Sequence, residues 1–211
     1  MVAMHNLWIF EKWDYKPVSR EFRTLGISSL EELTKFQNQF SIYDTDTTIN
    51  AIRDAIISNY LWFDLLNFAK HWFDAKRSKD NKFLEVKQCS ISSNRRWWTW
   101  NDTNEEKALA FSDERLLTVV AVWKWASELE FMVYWFHKWL WEYLYDRVIN
   151  RKPWSRSTQN VWIEMLIKKF WFSVICPPGK SKLYLIKLLA NYNKDLLNYI
   201  NTNGIKSIQD I

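Results

Sequence analysis

The segment best suited to a binding role is Asn94-Arg95-Arg96-Trp97-Trp98-Thr99-Trp100. Guanidinium groups beside indole rings suit a phosphate backbone with unstacked bases, because every base offers an aromatic face for stacking. Basic residues just before this segment extend its positive charge: Lys76, Arg77, Lys79, Lys82 and Lys87. The sequence therefore predicts a nucleic-acid-binding surface made by Arg77, Lys79, Arg95, Arg96, Trp97, Trp98 and Trp100. The alternative is that these tryptophans pack against the core while the arginines stay solvated.

Three ionisable residues are candidates for catalysis, although no complete catalytic motif surrounds them. His71 is predicted on the polar face of a helix, about one turn from Asn67 and Asp74, where a carboxylate could hold it as a general base. Glu130 and His137 are predicted two turns apart on the apolar side of another helix, where buried polar groups need partners. A solvated His71 and a core polar network are the favoured interpretations, so the sequence assigns no catalytic residue.

Motifs for metals and cofactors are missing from the sequence. Cys89 and Cys176 are far apart, and the 3 glycines are isolated rather than gathered in a phosphate-binding loop. We therefore expect no metal site and no cofactor. Two distant cysteines also give no disulfide framework, which is typical of a reducing, intracellular compartment.

The elements that must position these residues are predicted to be helices. The chain has 211 residues with only 3 Gly and 4 Pro, but 15 Trp and 18% aromatic residues, which excludes collagen-like, disulfide-scaffold and disordered proteins. Apolar residues recur with a period near 3.6 over long stretches. The sequence predicts one all-α domain over residues 1–211, a bundle of about five helices around one long central helix.

The predicted helices follow from these periodic patterns and from their end signals. Ser29-Leu30-Glu31-Glu32 has the pattern of a capping box that opens a helix. Later helices are predicted over 47–77, 112–150 (the central helix), 158–175 and 182–202. Residues 1–28 are predicted to be an arm, and 80–111 an Arg/Trp-rich insertion that is either irregular or a small β-hairpin. The β-hairpin is predicted from a loose alternation of apolar and polar residues over 83–91.

One ten-residue pattern occurs twice, at 24–33 and 202–211, with Gly26 and Gly204 in equivalent positions. It resembles the first half of a helix-hairpin-helix, a family whose Gly-hydrophobic-Gly turn offers backbone N–H groups to DNA phosphate. Ser28 and Lys206 stand where that pattern has its second glycine. The favoured interpretation is a plain structural turn, with Gly204 in a left-handed cap at the end of the last helix.

Location is predicted from the apolar segments and the amino-terminal residues. The most apolar region, 119–149, contains Lys124, Glu130 and Glu142, so we expect no transmembrane segment. The first residues lack a signal-peptide layout, which favours an intracellular protein. Abundant Trp beside many Asn, Ile and Lys, residues favoured by AT-rich genes, suggests a genetic code with a second Trp codon, as in many mitochondria. The alternative is selection for aromatic packing.

The composition leads to three functional hypotheses. A net charge of +5 and the Arg/Trp segment favour a non-enzymatic binding or assembly protein that contacts RNA or a ribonucleoprotein, for example a mitochondrial-type ribosomal protein. The second hypothesis is a helical nuclease-like or nucleotide-processing enzyme, with His71 or His137 as its base. The third is a protein–protein adaptor that uses exposed tryptophans as anchors.

Overall fold

The structure, a computed structural model, describes residues 17–40, 47–66, 73–91, 97–100, 105–136, 138–150 and 159–211. Its helices are α1 (Arg20–Phe40), α2 (Thr47–Tyr60), α3 (Glu105–Ala110), α4 (Lys138–Ile149), α5 (Ile163–Lys168), α6 (Lys182–Tyr192) and α7 (Lys194–Asn203), and a 3-10 turn follows at Ile208–Asp210. Its strands are β1 (Asp64–Leu65), β2 (Ala75–Arg77), β3 (Lys82–Ser90), β4 (Trp97–Trp100), β5 (Leu116–Trp123), β6 (Leu129–Trp135), β7 (Gln159–Trp162), β8 (Ser173–Cys176) and β9 (Ile205–Ser207).

Seven of these strands form one mixed sheet in the order β1-β2-β3-β5-β6-β8-β9, so the prediction of an all-α helical bundle is wrong. Strands β3 and β5 are parallel, as are β8 and β9, and the other neighbours are antiparallel. The connection from β3 to β5 contains β4 and α3. Strand β4 pairs with β7 in a separate two-stranded sheet, and it also lies beside β3.

The error has a physical cause in the central strands. All eight residues of β5 are buried, and so are six of the seven in β6. A strand covered on both faces is apolar at most positions, so its sequence lacks the alternation that distinguishes a strand from a buried helix. The predicted central helix over 112–150 is in fact β5, β6 and α4.

The other predicted helices are also shorter than expected. The helix predicted over 47–77 ends at Tyr60 and is followed by β1 and β2, and the one over 158–175 divides into β7, α5 and β8. The last predicted helix is broken at Asn193, whose side chain accepts a hydrogen bond from Asp195 N and caps α7. The expected β-hairpin is correct for its first strand, β3, but β4 pairs with β7 rather than with β3.

Apolar cores cover both faces of the large sheet. Helices α1 and α2 contribute Leu30 and Ile57 to one core, which also contains Met132 of β6. The opposite core contains Phe131 and receives residues from α4 to α7. The apolar pattern of the predicted central helix also predicts that Val133, Leu140 and Leu144 are buried, and all three lie in this second core, at 0%, 3% and 0% exposure. Their burial is confirmed, although they belong to a strand and a helix.

The repeated ten-residue pattern has two different structures. Gly204 ends α7 with φ of 70°, so the predicted positive φ is confirmed. Gly26 lies inside α1, where a Cβ would approach Ile52 Cγ2 to 3.0 Å, so its role is close packing against α2. Ser29 is also inside α1, donating to Leu25 O, and Ser19 caps the helix instead. The resemblance to a helix-hairpin-helix therefore does not extend to the structure.

Among the helices that the structure describes, none is both long and apolar enough to cross a membrane.

Candidate functional site

Acidic side chains and a lysine converge where β2 separates from β3. The β2–β3 ladder ends at the pair Ala75–Leu84, whereas β3 continues to Ser90. Asp74, the residue before β2, donates its N–H to Leu84 O at 2.7 Å and accepts from Val86 N through Oδ2 at 2.7 Å. Two bonds to the main chain of β3 therefore fix this carboxylate at the separation point.

Strand β3 supplies the next two groups of the site. Glu85 and Lys87 are two residues apart on β3, so their side chains project from the same face. Glu85 is 2% exposed and forms an ion pair with Lys87, whose side chain is 21% exposed. A buried carboxylate is thus held beside a lysine whose side chain is only partly exposed.

Helix α2 brings a third carboxyl group to the other face of β3, because Gln88, which holds it, alternates with Glu85 and Lys87 along the strand. Gln88 Nε2 donates to Asp54 Oδ1 at 2.5 Å and to Asn50 O at 2.8 Å, which ties α2 to β3. Asp54 lies close enough to Asp74, Glu85 and Lys87 for their charges to act on it. We call Asp54, Asp74, Glu85 and Lys87 the edge cluster.

The charged groups of the edge cluster shift one another's pKa. Burial and the charge of Asp74 raise the pKa of Asp54 well above its usual range, against the opposite effects of Gln88 and Lys87. Burial alone would lower the pKa of Lys87, but the charges of Glu85, Asp74 and Asp54 raise it above its usual value. Lys87 forms an ion pair with Glu85, whereas Asp54 and Asp74 repel each other when both are charged, so a bound cation would stabilise the ionised carboxylates.

The chemistry open to this arrangement is limited by the number of ligands. In the described parts of the chain, no group of three or more His, Cys, Asp or Glu side chains is placed to hold a metal ion. Mg²⁺, however, is commonly bound by only one or two carboxylates together with water and substrate phosphates. Asp74 and Glu85 meet that requirement, and Lys87 adds a positive charge beside them.

The residues predicted to bind nucleic acid are only partly placed by the structure. Arg77 lies near the β2–β3 turn, bonded to both oxygens of Asp80 at 2.7 and 2.8 Å, and Lys79 is exposed in that turn. Trp97, Trp98 and Trp100 belong to β4, beside β3. Arg95 and Arg96 lie outside the described residues. The predicted surface therefore remains a prediction, although β4 lies beside the strand that carries Glu85 and Lys87.

The predicted catalytic candidates do not belong to the edge cluster. His71 and His137 lie outside the described residues. Glu130 is 1% exposed on β6 and accepts from Tyr184 Oη at 2.6 Å. The basis for placing it on a helix with His137 is wrong, because β6 is a strand and ends at Trp135.

Sequence reasoning missed the edge cluster: it noticed two of the four residues, Asp74 and Lys87, in other roles, and it singled out neither Asp54 nor Glu85. Asp74 was interpreted as a neighbour of His71, and Lys87 as part of a basic surface. The available signal was the spacing: an aspartate, then ten residues, then Glu-x-Lys inside an alternating segment. That spacing brings the carboxylates of Asp74 and Glu85 together only in a hairpin that pairs Ala75 with Leu84.

Comparison with known proteins gives no further guidance to the function. No protein-family model matches the chain, and no curated protein is significantly similar to it in sequence. The edge cluster is therefore the basis for assigning a function.

Proposed function

We propose that the protein is a divalent-metal-dependent nuclease whose active site is the edge cluster. The observation that carries this proposal is the fixation of Asp74 on the main chain of β3, next to Glu85 and Lys87. This replaces the leading hypothesis of a non-enzymatic binding protein and the expectation of no metal. It keeps nucleic acid as the partner, and it differs from the earlier nuclease hypothesis in using carboxylates rather than histidines.

The roles of the residues follow from their charges. Asp74 and Glu85 would ligate the metal, which polarises the phosphoryl oxygen and lowers the pKa of a bound water. Lys87 would stabilise the negative charge that develops on the phosphate in the transition state. Asp54, held by Gln88, would add negative charge that strengthens cation binding.

The proposed reaction is the hydrolysis of a phosphodiester. The water oxygen forms a bond to phosphorus, and the bond from phosphorus to one ester oxygen breaks. Water loses a proton to solvent, and the leaving oxygen takes one up. One phosphodiester and one water thus give a phosphate monoester and an alcohol.

The charge distribution favours a polyanionic substrate. The chain carries a net charge of +5, so a nucleic acid would be attracted even though the edge cluster itself is negative. Strand β4, whose sequence is Trp97-Trp98-Thr99-Trp100, lies beside β3 and would be near a bound strand.

The proposal is tested with the variant Asp74→Asn and the control Glu142→Gln. Asparagine keeps an oxygen that can accept from Val86 N but loses the charge, so the fold should be retained. Glu142 is an exposed carboxylate on α4, away from the cluster. The assays are Mn²⁺ binding followed by electron paramagnetic resonance, and cleavage of single-stranded DNA, duplex DNA and RNA in Mg²⁺ or Mn²⁺.

We expect the wild-type protein and Glu142→Gln to cleave at least one of these nucleic acids and to stop when the metal is chelated. Asp74→Asn should bind Mn²⁺ roughly 10- to 100-fold more weakly and lose cleavage, with unchanged circular dichroism. The proposal is wrong if the wild type cleaves none of the three substrates, or if Asp74→Asn cleaves as fast as the control.

A further inference from the structure

Two cations flank one buried aromatic ring next to the edge cluster. Lys76 Nζ lies 5.5 Å from the ring centroid of Phe83, and the Arg115 guanidinium carbon lies 5.4 Å from it. Phe83 is 2% exposed and packs edge-on against Phe73, with centroids 4.6 Å apart. A fixed ring that attracts both cations holds their positive charges near one place.

The strand register places these cations beside the carboxylates. Lys76 pairs with Phe83 across the β2–β3 ladder, and it is two residues after Asp74, which precedes β2. Phe83 is likewise two residues before Glu85, so it shares the face of β3 that carries Glu85 and Lys87. At ~3.3 Å per residue, Lys76 stands roughly 7 Å along the strands from Asp74 and Glu85.

The charge of Lys76 is available for a ligand. Arg115 uses part of its charge on Asp113, with Nη2 to Oδ2 at 2.9 Å. Lys76 makes no ion pair with any carboxylate in the parts of the chain that the structure describes. Its residue is also half-buried rather than free in solvent. A cation held in this way beside a metal site suits a second phosphate.

We infer that Lys76, supported by Arg115, binds the phosphate next to the scissile one, so that the substrate is a polynucleotide chain rather than a small phosphodiester. This inference rests on the nuclease function proposed above. It adds that productive binding needs at least two consecutive phosphates. The metal site would hold one of them, and the two cations over Phe83 would hold the other.

The test compares two substrates on two lysine variants. Lys76→Gln keeps most of the aliphatic side chain and removes the charge. Lys187→Gln is the matched control, because Lys187 is an exposed lysine on α6. The substrates are a defined oligonucleotide and bis(p-nitrophenyl) phosphate, which has a single phosphodiester and no neighbouring phosphate. Each is hydrolysed in Mn²⁺ over a series of salt concentrations.

We expect Lys76→Gln to lower kcat/KM on the oligonucleotide about tenfold or more, mainly through KM. The loss on bis(p-nitrophenyl) phosphate should be several-fold smaller, and the log–log salt slope on the oligonucleotide should fall by about one unit. Lys187→Gln should behave as the wild type on both substrates. Equal losses of Lys76→Gln on the two substrates, or no loss on the oligonucleotide, would overturn the inference.

A binding measurement separates this inference from the proposed function. Fluorescence anisotropy of the labelled oligonucleotide is recorded in Ca²⁺ for the same variants. Suppose that the wild type cleaves no substrate but binds the oligonucleotide, and that only Lys76→Gln weakens this binding. The nuclease proposal then fails, and the phosphate contact stands. If Lys76→Gln and Lys187→Gln bind like the wild type, the phosphate contact is overturned even where cleavage is observed.

Discussion

Two buried glutamate–lysine pairs in this protein differ in what surrounds them. Glu85 pairs with Lys87 within β3, and Glu130 of β6 lies 3.5 Å from Lys180, in the loop after β8. The two glutamates are equally buried, at 2% and 1% exposure. Burial of the pair therefore does not decide which of them belongs to a functional site.

The difference lies in the remaining charges. Around Glu130, Lys180 also binds Glu128 at 3.1 Å, and Lys124 lies 3.9 Å from Glu128. Two lysines thus face two glutamates, and Tyr184 donates a hydrogen bond in addition. In the edge cluster, burial and the charge of Asp74 instead raise the pKa of Asp54. A network of paired charges can stabilise a loop, whereas carboxyl groups that raise one another's pKa are typical of sites that bind a cation or do chemistry.

The largest expected effect is the loss of activity in Glu85→Gln. In this variant Lys87 still has two carboxyl groups near it, those of Asp74 and Asp54, so the melting temperature should change little. The cleavage rate should fall roughly 100-fold or more. Parallel measurement of kcat/KM and of thermal melting checks this. Retained cleavage together with a large drop in melting temperature would make Glu85 a structural residue, and the contrast with Glu130 would disappear.

The converse is expected for Glu130→Gln. This change removes the charged acceptor of Tyr184 and one partner of Lys180. The free energy of unfolding, measured by urea titration, should therefore fall by about 1–3 kcal/mol. Cleavage by the folded variant should stay within about twofold of the wild-type rate. The result that would contradict the comparison is a large loss of activity at unchanged stability.

Local patterns predicted several elements of this fold correctly. The alternation over 83–91 predicted β3, and the left-handed preference of glycine predicted the positive φ of Gly204. The burial of Leu140 and Leu144 followed from the hydrophobic periodicity of what is now α4. Each of these features depends on neighbours close in sequence, which is why one sequence was sufficient.

The end of α2 shows why other elements were missed. Phe63 N bonds to Ser58 O and Trp62 N to Asn59 O, the two bonds of a Schellman motif. The residue in the left-handed conformation is Trp62, with φ of 63°, where glycine is usual. No helix-terminating residue such as glycine indicates this end in the sequence, so the predicted helix continued to residue 77.

The edge cluster depends on pairing between distant segments. Asp54, Asp74 and Glu85 come from a helix, a bend and a strand. The register of β2 on β3 brings Asp74 to Glu85, and the bond from Gln88 holds Asp54 against β3. An incorrect helix over 47–77 placed Asp74 on a solvent face beside His71. The site was therefore inaccessible to reasoning that treated each segment alone.

A smaller effect is expected for Tyr184→Phe, which tests one bond of the Glu130 network. Losing the hydroxyl that donates to Glu130 Oε2 at 2.6 Å should lower the free energy of unfolding by about 1 kcal/mol. Tyr145→Phe is a suitable control, because its hydroxyl donates at 3.2 Å to the exposed Glu105 and should matter less. Urea titrations of both variants give the comparison. Equal losses of unfolding free energy would show that the bond to Glu130 stabilises the protein no more than an exposed hydrogen bond does.

The smallest effect is expected at an exposed pair, Asp210 with Lys182, which extends the comparison to the surface. Asp210 Oδ2 accepts from Ser207 N at 2.7 Å and from Lys182 Nζ at 3.3 Å, and these contacts lower the pKa of Asp210 to about 2. Both side chains are about half exposed, at 53% for Lys182 and 49% for Asp210, so solvent screens the interaction.

The sign of the pH dependence follows from this lowered pKa. Because the folded value is below the ordinary value of 3.8, the stabilisation is complete above pH 3.8 and is lost as the pH falls through about 2. Asp210→Asn can still accept from Ser207 N, so the melting difference from the wild type should be small at pH 7 and vanish near pH 2. A difference that stayed constant over this range would show that the charge of Asp210 contributes nothing. The lowered pKa of Asp210 reports local hydrogen bonding at an exposed pair, whereas the raised pKa of Asp54 in the edge cluster reflects burial and the charge of Asp74.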